Sequence, residues 1–299
     1  MAASEISKRI GCFVEQYNFN DVTESMALRN FKLAAERKGH EFDFIFKKDI
    51  AKIPEYDSLF IRAVTDPTFT SNVVSKIAEE NNLWVVDDPR SIQICSNKIH
   101  MYGSLQKHGV PYLPTTVFSK NDLNHETVQK LIEKYGFPLV LKAPYTSFSK
   151  YVEKADNEAQ FFEVARRFFR RSEVIVIQKY VYTDFDWRVG VLNDEVLYVA
   201  KYEMAKGKWK HLSYSEGKKS YGHTISIKVE DAPEKLKKVA LDSCRAIGGG
   251  LFGVDLKEVN GEFVIVEVND NPSIYAGYED VAAPDIYDKI IDYLTLGHN

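Results

Sequence analysis

The sequence has only three cysteines, Cys12, Cys95 and Cys244, widely spaced and odd in number. That pattern excludes a disulfide framework and a zinc knuckle, and it points to a reducing, cytoplasmic setting. A basic excess is also missing. With 39 Lys and Arg against 43 Asp and Glu the net charge is -4, which excludes a nucleic-acid binder acting through a bulk basic surface. No apolar run approaches the roughly 20 residues of a membrane span, and none of signal-peptide length opens the chain. A soluble protein without membrane contact is the expectation. There is no Gly-x-Gly-x-x-Gly motif in the first part of the chain, no internal repeat and no low-complexity tract. Nor is there a Ser-His-Asp or Cys-His set that would mark a protein nucleophile.

What is present suffices for one large domain or a few small ones, since 44% of the 299 residues are apolar. Residues 9 to 14 read as a strand, and Asp21 to Lys38 carries helical periodicity in Met26, Leu28, Phe31, Leu33 and Ala34 before Gly39 ends it. Strands at Glu41 to Phe46, Ser58 to Arg62 and Leu83 to Val86, with a helix at Ser71 to Asn81, complete an alternation. It predicts a small α/β domain with a mostly parallel sheet over residues 1–92. Its candidate ligand loops are Gln16 to Asp21 and Arg62 to Thr68, where strands end, and Arg62 is the residue there best suited to touch a substrate.

Asp87-Asp88-Pro89-Arg90 marks a boundary, after which the pattern is α+β. A helix from Ser96 to Leu105 ends near Gly109. The strand Leu139 to Leu141 ends in Lys142, either an edge lysine or an anion contact. In the loop that follows, Ser147, Ser149 and Lys150 can donate hydrogen bonds to phosphate, although the loop has no glycine. Asn157 and Gln160 form a capping box for a helix carrying Phe161, Phe162, Val164, Ala165 and Phe168. Its Arg166, Arg167, Arg170 and Arg171 read first as a surface charge run and second as a face for an acidic partner.

The buried strand from Val174 ends in a polar and aromatic corner, Gln178-Lys179-Tyr180-Val181. Backbone donors and acceptors beside apolar walls suit an adenine. Trp187 to Leu192 and Glu195 to Tyr202 meet in a two-residue turn at Asn193-Asp194. Arg188 is a planar cation able to grip a carboxylate or phosphoryl group in two places, and Lys201 and Lys210 extend that basic lining. Asp231 to Glu234 opens a capped helix, and a last helix runs near Pro284 to Leu296.

Two apolar strands meeting at Asn260-Gly261 make the stretch with the clearest chemistry. Glu267 and Asn269 project from one face because side chains alternate. A strict two-residue loop would point Asp255 to the other face, so a three-residue or bulged loop with Gly261 left-handed is predicted. Asp255, Glu267 and Asn269 then offer oxygen donors alone, the set for a hard cation such as Mg²⁺.

Asp255 in Gly-Val-Asp-Leu-Lys, with Glu267 and Asn269 in Glu-Val-Asn-Asp-Asn-Pro, resembles the metal-binding end of the ATP-grasp superfamily. The flanking residues look most like its RimK-like carboxylate-amine (glutamate) ligase branch. The likeness covers about residues 95 to 295, with its landmarks in order. It implies an ATP-grasp fold behind an N-terminal pre-grasp domain, its first half over 93–180 and its second over 181–299. By the same resemblance Lys98 and Lys142 contact the nucleotide, Gln178 to Val181 hold adenine, Asp186 lines the ATP site, and Asp255, Glu267 and Asn269 hold two Mg²⁺ ions, with Mn²⁺ as the alternative ion. The implied reaction joins a carboxylate to an amine through an acyl phosphate, with Arg188, Lys201 and Lys210 as catalytic cations. The implied substrates are an amino acid such as glutamate and a peptide, protein or small amine. A homodimer is the default assembly. A catalytically impaired ATP-binding regulator, which the glycine-free loop favours, and an ATP-dependent phosphotransferase are the alternative readings.

Overall fold

Four parallel strands open the chain in the computed structural model, which describes residues 7–65, 70–145, 151–206, 209–215 and 218–296, with the backbone alone from 212 to 221. In chain order they are β1 (Arg9–Phe13), helix α1 (Val22–Arg37), β2 (Glu41–Ile45), β3 (Ser58–Ile61), α2 (Thr70–Glu80) and β4 (Trp84–Val86). The sheet order is β2-β1-β3-β4 and every pairing is parallel. Helices cover both faces, which is why β3 is buried at all four positions. Asp21 starts α1 by accepting the backbone N–H groups of Thr23 and Glu24.

The stretch read as a boundary contains a helix, α3 (Pro89–Cys95), capped by Asp88 with Pro89 in its first turn. Asn97 caps the next, α4 (Lys98–Lys107). A second sheet follows from β5 (Thr115–Ser119), α5 (His125–Tyr135), β6 (Leu139–Lys142), β7 (Val152–Ala155), α6 (Glu158–Phe168) and β8 (Val174–Lys179), in antiparallel order β5-β8-β6-β7. Leu139, Leu141, Ile175 and Ile177 face one way into a core with Phe161 and Phe168 of α6. The two-residue period therefore turns Val140, Lys142, Val176 and Gln178 to the opposite face.

The third sheet is antiparallel, built from β9 (Phe185–Leu192), β10 (Glu195–Glu203), β13 (Thr224–Ile227), β14 (Leu251–Val259) and β15 (Glu262–Asp270). A two-stranded ribbon, β11 (Leu212–Ser215) and β12 (Lys218–Tyr221), precedes β13. The order is β13-β10-β9-β14-β15. Trp187, Val189, Phe252, Val254 and Leu256 pack with Leu236 and Ala240 of α7 (Glu234–Arg245), leaving the other face for the polar residues of β9 and β14. Helix α7 follows Pro233 without the expected side-chain cap, because Asp231 is spent in a short 3-10 turn. The last helix, α8 (Ile286–Thr295), returns to the first sheet, where the Tyr287 and Phe31 rings meet edge-on at 4.9 Å. Among the described residues no helix is long and apolar enough to cross a membrane. All three cysteines are free and buried.

The β14–β15 hairpin departs from the predicted loop. Val259 pairs with Glu262, and Asn260 and Gly261 both take positive φ, 53° and 77°, so the turn is a strict two-residue one. Asn-Gly adopts this conformation at little cost and its twist suits the strands. The bulge lies further along. Leu256 pairs with Ile265 but Asp255 pairs with Glu267, which leaves Val266 as the extra residue. That shift corrects the register, so Asp255 faces Glu267 while Asn269 faces Gly253. A bulge is favourable at Val266 because its displaced carbonyl has a partner there, the hydroxyl of Tyr102 at 2.6 Å.

Candidate active site

Arg188 on β9 stands directly across from Asp255 on β14, and the two form a bidentate pair: Nε to Oδ1 at 2.6 Å and Nη2 to Oδ2 at 3.0 Å. Gly253 makes room for it, since a Cβ there would lie 3.0 Å from Arg188 Nη1 and 2.6 Å from Pro272 Cβ. The guanidinium also sits 5.0 Å from the centre of the Tyr202 ring, whose hydroxyl donates to the buried Glu279 at 2.5 Å. Burial opposes the arginine's charge, but Asp255 outweighs it and holds the guanidinium protonated well above its ordinary range. Asn269 Nδ2 donates to Asp255 Oδ2 and to the Gly253 carbonyl, each at 3.2 Å.

Lys98 is the first residue of α4 and almost wholly buried, with Nζ 2.8 Å from Glu267 Oε1. Burial alone would raise the Glu267 carboxyl. The ammonium groups of Lys98 and Lys142 prevail and hold it below the usual carboxylate range. Lys142 is itself pushed down by burial, opposed by Glu267, Asp186 and Asp255. The second and third sheets thus face each other across one charged seam.

Tyr102, one helical turn after Lys98, is the link between them. Its hydroxyl donates to Val266 O and accepts from Gln178 Nε2 at 2.9 Å and from Lys142 Nζ at 3.3 Å. The sequence reading missed it, although the i, i+4 spacing from Lys98 was a signal. Lys257 was missed as well. It lies two residues from Asp255 on the same face of β14, buried, with Nζ 2.5 Å from both Asp186 Oδ1 and Thr183 Oγ1.

The remaining candidates separate. Lys179 is exposed at the end of β8, its N–H donating to Pro114 O at 2.9 Å, and the Tyr180 ring meets Trp209 edge-on at 5.9 Å with Val181 following. Lys210 reaches back to the Val152 carbonyl. Burial pushes its ammonium down to about 8, opposed by Glu153 and assisted by Lys142. Lys201 does not join Arg188: it pairs with Trp187, on the other face of the sheet, with Nζ 4.5 Å and 4.7 Å from the Phe185 and Trp187 ring centres. Period two forces this, since 188 and 201 sit one register step apart. Arg62 is likewise occupied, gripping Asn271 Oδ1 at 2.6 Å and Pro272 O at 2.9 Å, which ties the first sheet to the loop after β15. Ser147, Ser149 and Lys150 lie outside the described residues.

Asp255, Glu267 and Asn269 fit a hard cation by donor type and by sharing a face. Among the described residues no group of three or more His, Cys, Asp or Glu forms a metal centre. Two carboxylates and an amide alone would hold Mg²⁺ weakly and would draw on further oxygens such as those of phosphate. Arg188 and Lys98 do not block this, because each carboxylate has lone pairs beyond those they engage.

Comparison with known proteins bears on the family of the chain. Residues 95–294 match the RimK-like ATP-grasp domain. The chain is 24% identical over 245 residues to glutamate–LysW ligase ArgX of Sulfolobus acidocaldarius, covering 80% of this chain and 82% of that one. It is 24% identical over 284 residues to a probable alpha-L-glutamate ligase of Shewanella loihica, covering 89% and 90%. Among solved structures, D-alanine–D-alanine ligase from Bacillus anthracis complexed with ATP superposes with a TM-score of 0.72 at 19% identity, covering 97% of this chain and 96% of that one. With two thirds of its length matched by the family and its own fold matched by ATP-grasp ligases, the chain belongs to the RimK-like ATP-grasp family and is an ATP-grasp carboxylate–amine ligase.

Proposed function

We propose that this ligase binds ATP between its second and third sheets, activates a carboxylate as the acyl phosphate, and transfers the acyl group to an amine. The observation that carries the reading is the set Lys98–Glu267, Asp255–Asn269 and Asp255–Arg188 on one face, joined through Tyr102 to Lys142 and Gln178. A polyanion that enters this seam meets buried cations already aimed by the fold.

Backbone groups from Gln178 to Val181 would take adenine, Asp186 would line the nucleotide site, and Lys98 and Lys142 would receive phosphate oxygens. Asp255, Glu267 and Asn269 would hold Mg²⁺, read as a pair of ions that Mn²⁺ can replace, and the metal supplies neutralisation of phosphate charge. A substrate carboxylate oxygen attacks the γ-phosphorus as the bond to ADP breaks. Arg188 holds the resulting acyl phosphate, with Lys210 adding positive charge from the β7 side. The amine attacks the acyl carbon, phosphate leaves, and the amine gives up a proton. No protein nucleophile is required, and positioning carries the rate.

The basic lining favours acidic substrates, and the names of the relatives agree with glutamate as the amino acid, added to a peptide, protein or small amine. Three buried free thiols accord with work in a reducing cytoplasm. The test is ADP release from Mg²⁺-ATP with pooled amino acids and amines, with mass spectrometry of the products, for wild type and Glu267→Gln. A condensation product containing an acidic amino acid, lost in the variant, is the expected result. Turnover with neutral acids alone would overturn the substrate class. A stable phosphorylated product without condensation would make the protein a phosphotransferase.

A further inference from the structure

At the end of the second sheet opposite Gln178, Lys120, Arg166, Arg170 and Arg171 line an open groove of about 570 Å³ with Leu123 and Phe169 as its apolar part. It forms because β5 and β8 begin and end together there, Lys120 N donating to Glu173 O at 2.9 Å, while the last turn of α6 runs alongside. By strand rise, β8 separates it from the nucleotide seam by roughly 16 Å.

Three features distinguish the groove from an ordinary charged surface. Arg166, Arg170 and Arg171 have no ion pair among the described residues, whereas Arg167 of the same helix engages Glu153 on another side. Two of the three lie over aromatic rings: Arg166 is 5.5 Å from the Phe162 centre and Arg171 4.4 Å from that of Tyr151. A guanidinium attracted to a ring still has N–H donors with which to meet carboxylates. The lining carries four cations against one carboxylate, Glu173, in a chain of net charge -4. Glu173 offers little competition, since it pairs with Lys120 at 3.5 Å and is 82% exposed.

We propose that this groove docks an acidic stretch of a partner polypeptide. Carboxylates would take the arginine edges, and an aliphatic or aromatic side chain between them would rest on Leu123, the half-buried apolar residue of the groove. Single-stranded nucleic acid is the poorer occupant because it needs free aromatic platforms for its bases. Here Phe162 and Tyr151 are covered by arginines and Phe169 is buried. The groove lies apart from the ligation site, so docking does not depend on the chemistry proposed there.

The test is fluorescence anisotropy of the full chain with a labelled peptide of Glu and Asp around one central Phe, at low ionic strength. Its Gln and Asn counterpart and an RNA oligonucleotide of equal charge serve as comparisons. Arg166→Glu with Arg170→Glu is expected to weaken acidic-peptide binding at least about tenfold, while ATP binding stays unchanged and reports an intact fold. Added salt should weaken the wild-type complex, and the neutral peptide should not bind. Absence of acidic-peptide binding, equal affinity in the double variant, equal binding of the neutral peptide, or tighter binding of RNA would each overturn the proposal.

Discussion

Replacing Tyr102 with phenylalanine removes one oxygen and leaves the ring, which packs 5.2 Å from Tyr112. Three hydrogen bonds go with it: to the bulged Val266 carbonyl at 2.6 Å, from Gln178 at 2.9 Å and from Lys142 at 3.3 Å. A neutral bond is worth about 1 kcal/mol net, or about 1–3 kcal/mol where its loss leaves a buried partner unsatisfied. The loss should therefore be about 2–4 kcal/mol, shared between folding stability and the aim of Lys142. Thermal unfolding followed by circular dichroism should show Tm falling by roughly 5–10 °C, on a scale of about 2–4 °C per kcal/mol for domains of this size. ATP affinity should drop with it, because Lys142 loses an anchor in a site where burial already works against its charge. Tyr112→Phe removes a neighbouring hydroxyl outside this network and should change neither quantity by much. A Tyr102→Phe protein that melts within about 2 °C of wild type and binds ATP equally well would refute the view that the bulge, Tyr102 and Lys142 act as one unit.

Arg188→Lys should lower kcat by about a hundredfold to a thousandfold, because a lysine cannot reproduce the bidentate grip on Asp255 or a planar clamp on an acyl phosphate. Lys201→Ala, on the far face of the same sheet, should leave kcat/KM within about twofold, and a larger loss would return it to the site. Lys210 should set an alkaline limb: activity flat below pH about 8 and falling above it as the ammonium deprotonates, with Lys210→Arg moving the fall out of range. Stability has the opposite sign. Between about 8 and 10.5 the unfolded chain holds the Lys210 proton that the folded one has released, so this group makes stability rise with pH there. A pH-rate profile unchanged by Lys210→Arg would remove it from the mechanism.

Periodicity and local chemistry determined much of this protein before any tertiary contact. The alternation of strands and helices through Val86 fixes the parallel first sheet, because each short apolar run can be buried only beneath helices on both faces. Glu267 and Asn269 share a face by strand geometry alone, and Asn260-Gly261 marks where the hairpin turns, although the turn is the tight two-residue one and not the bulged loop expected there. Hydrogen bonding across long separations decided the rest. The register of Asp255 depends on a bulge at Val266 whose carbonyl is satisfied by Tyr102, 164 residues away in sequence, and no local rule around Gly261 could place it. Arg62 is attractive as a free cation in its loop, yet the fold commits it to Asn271 and Pro272. Lys201 and Lys257 are both lysines on apolar strands. Only strand pairing sends one onto two aromatic rings and the other to Asp186, because a side chain's face is a property of the sheet it joins.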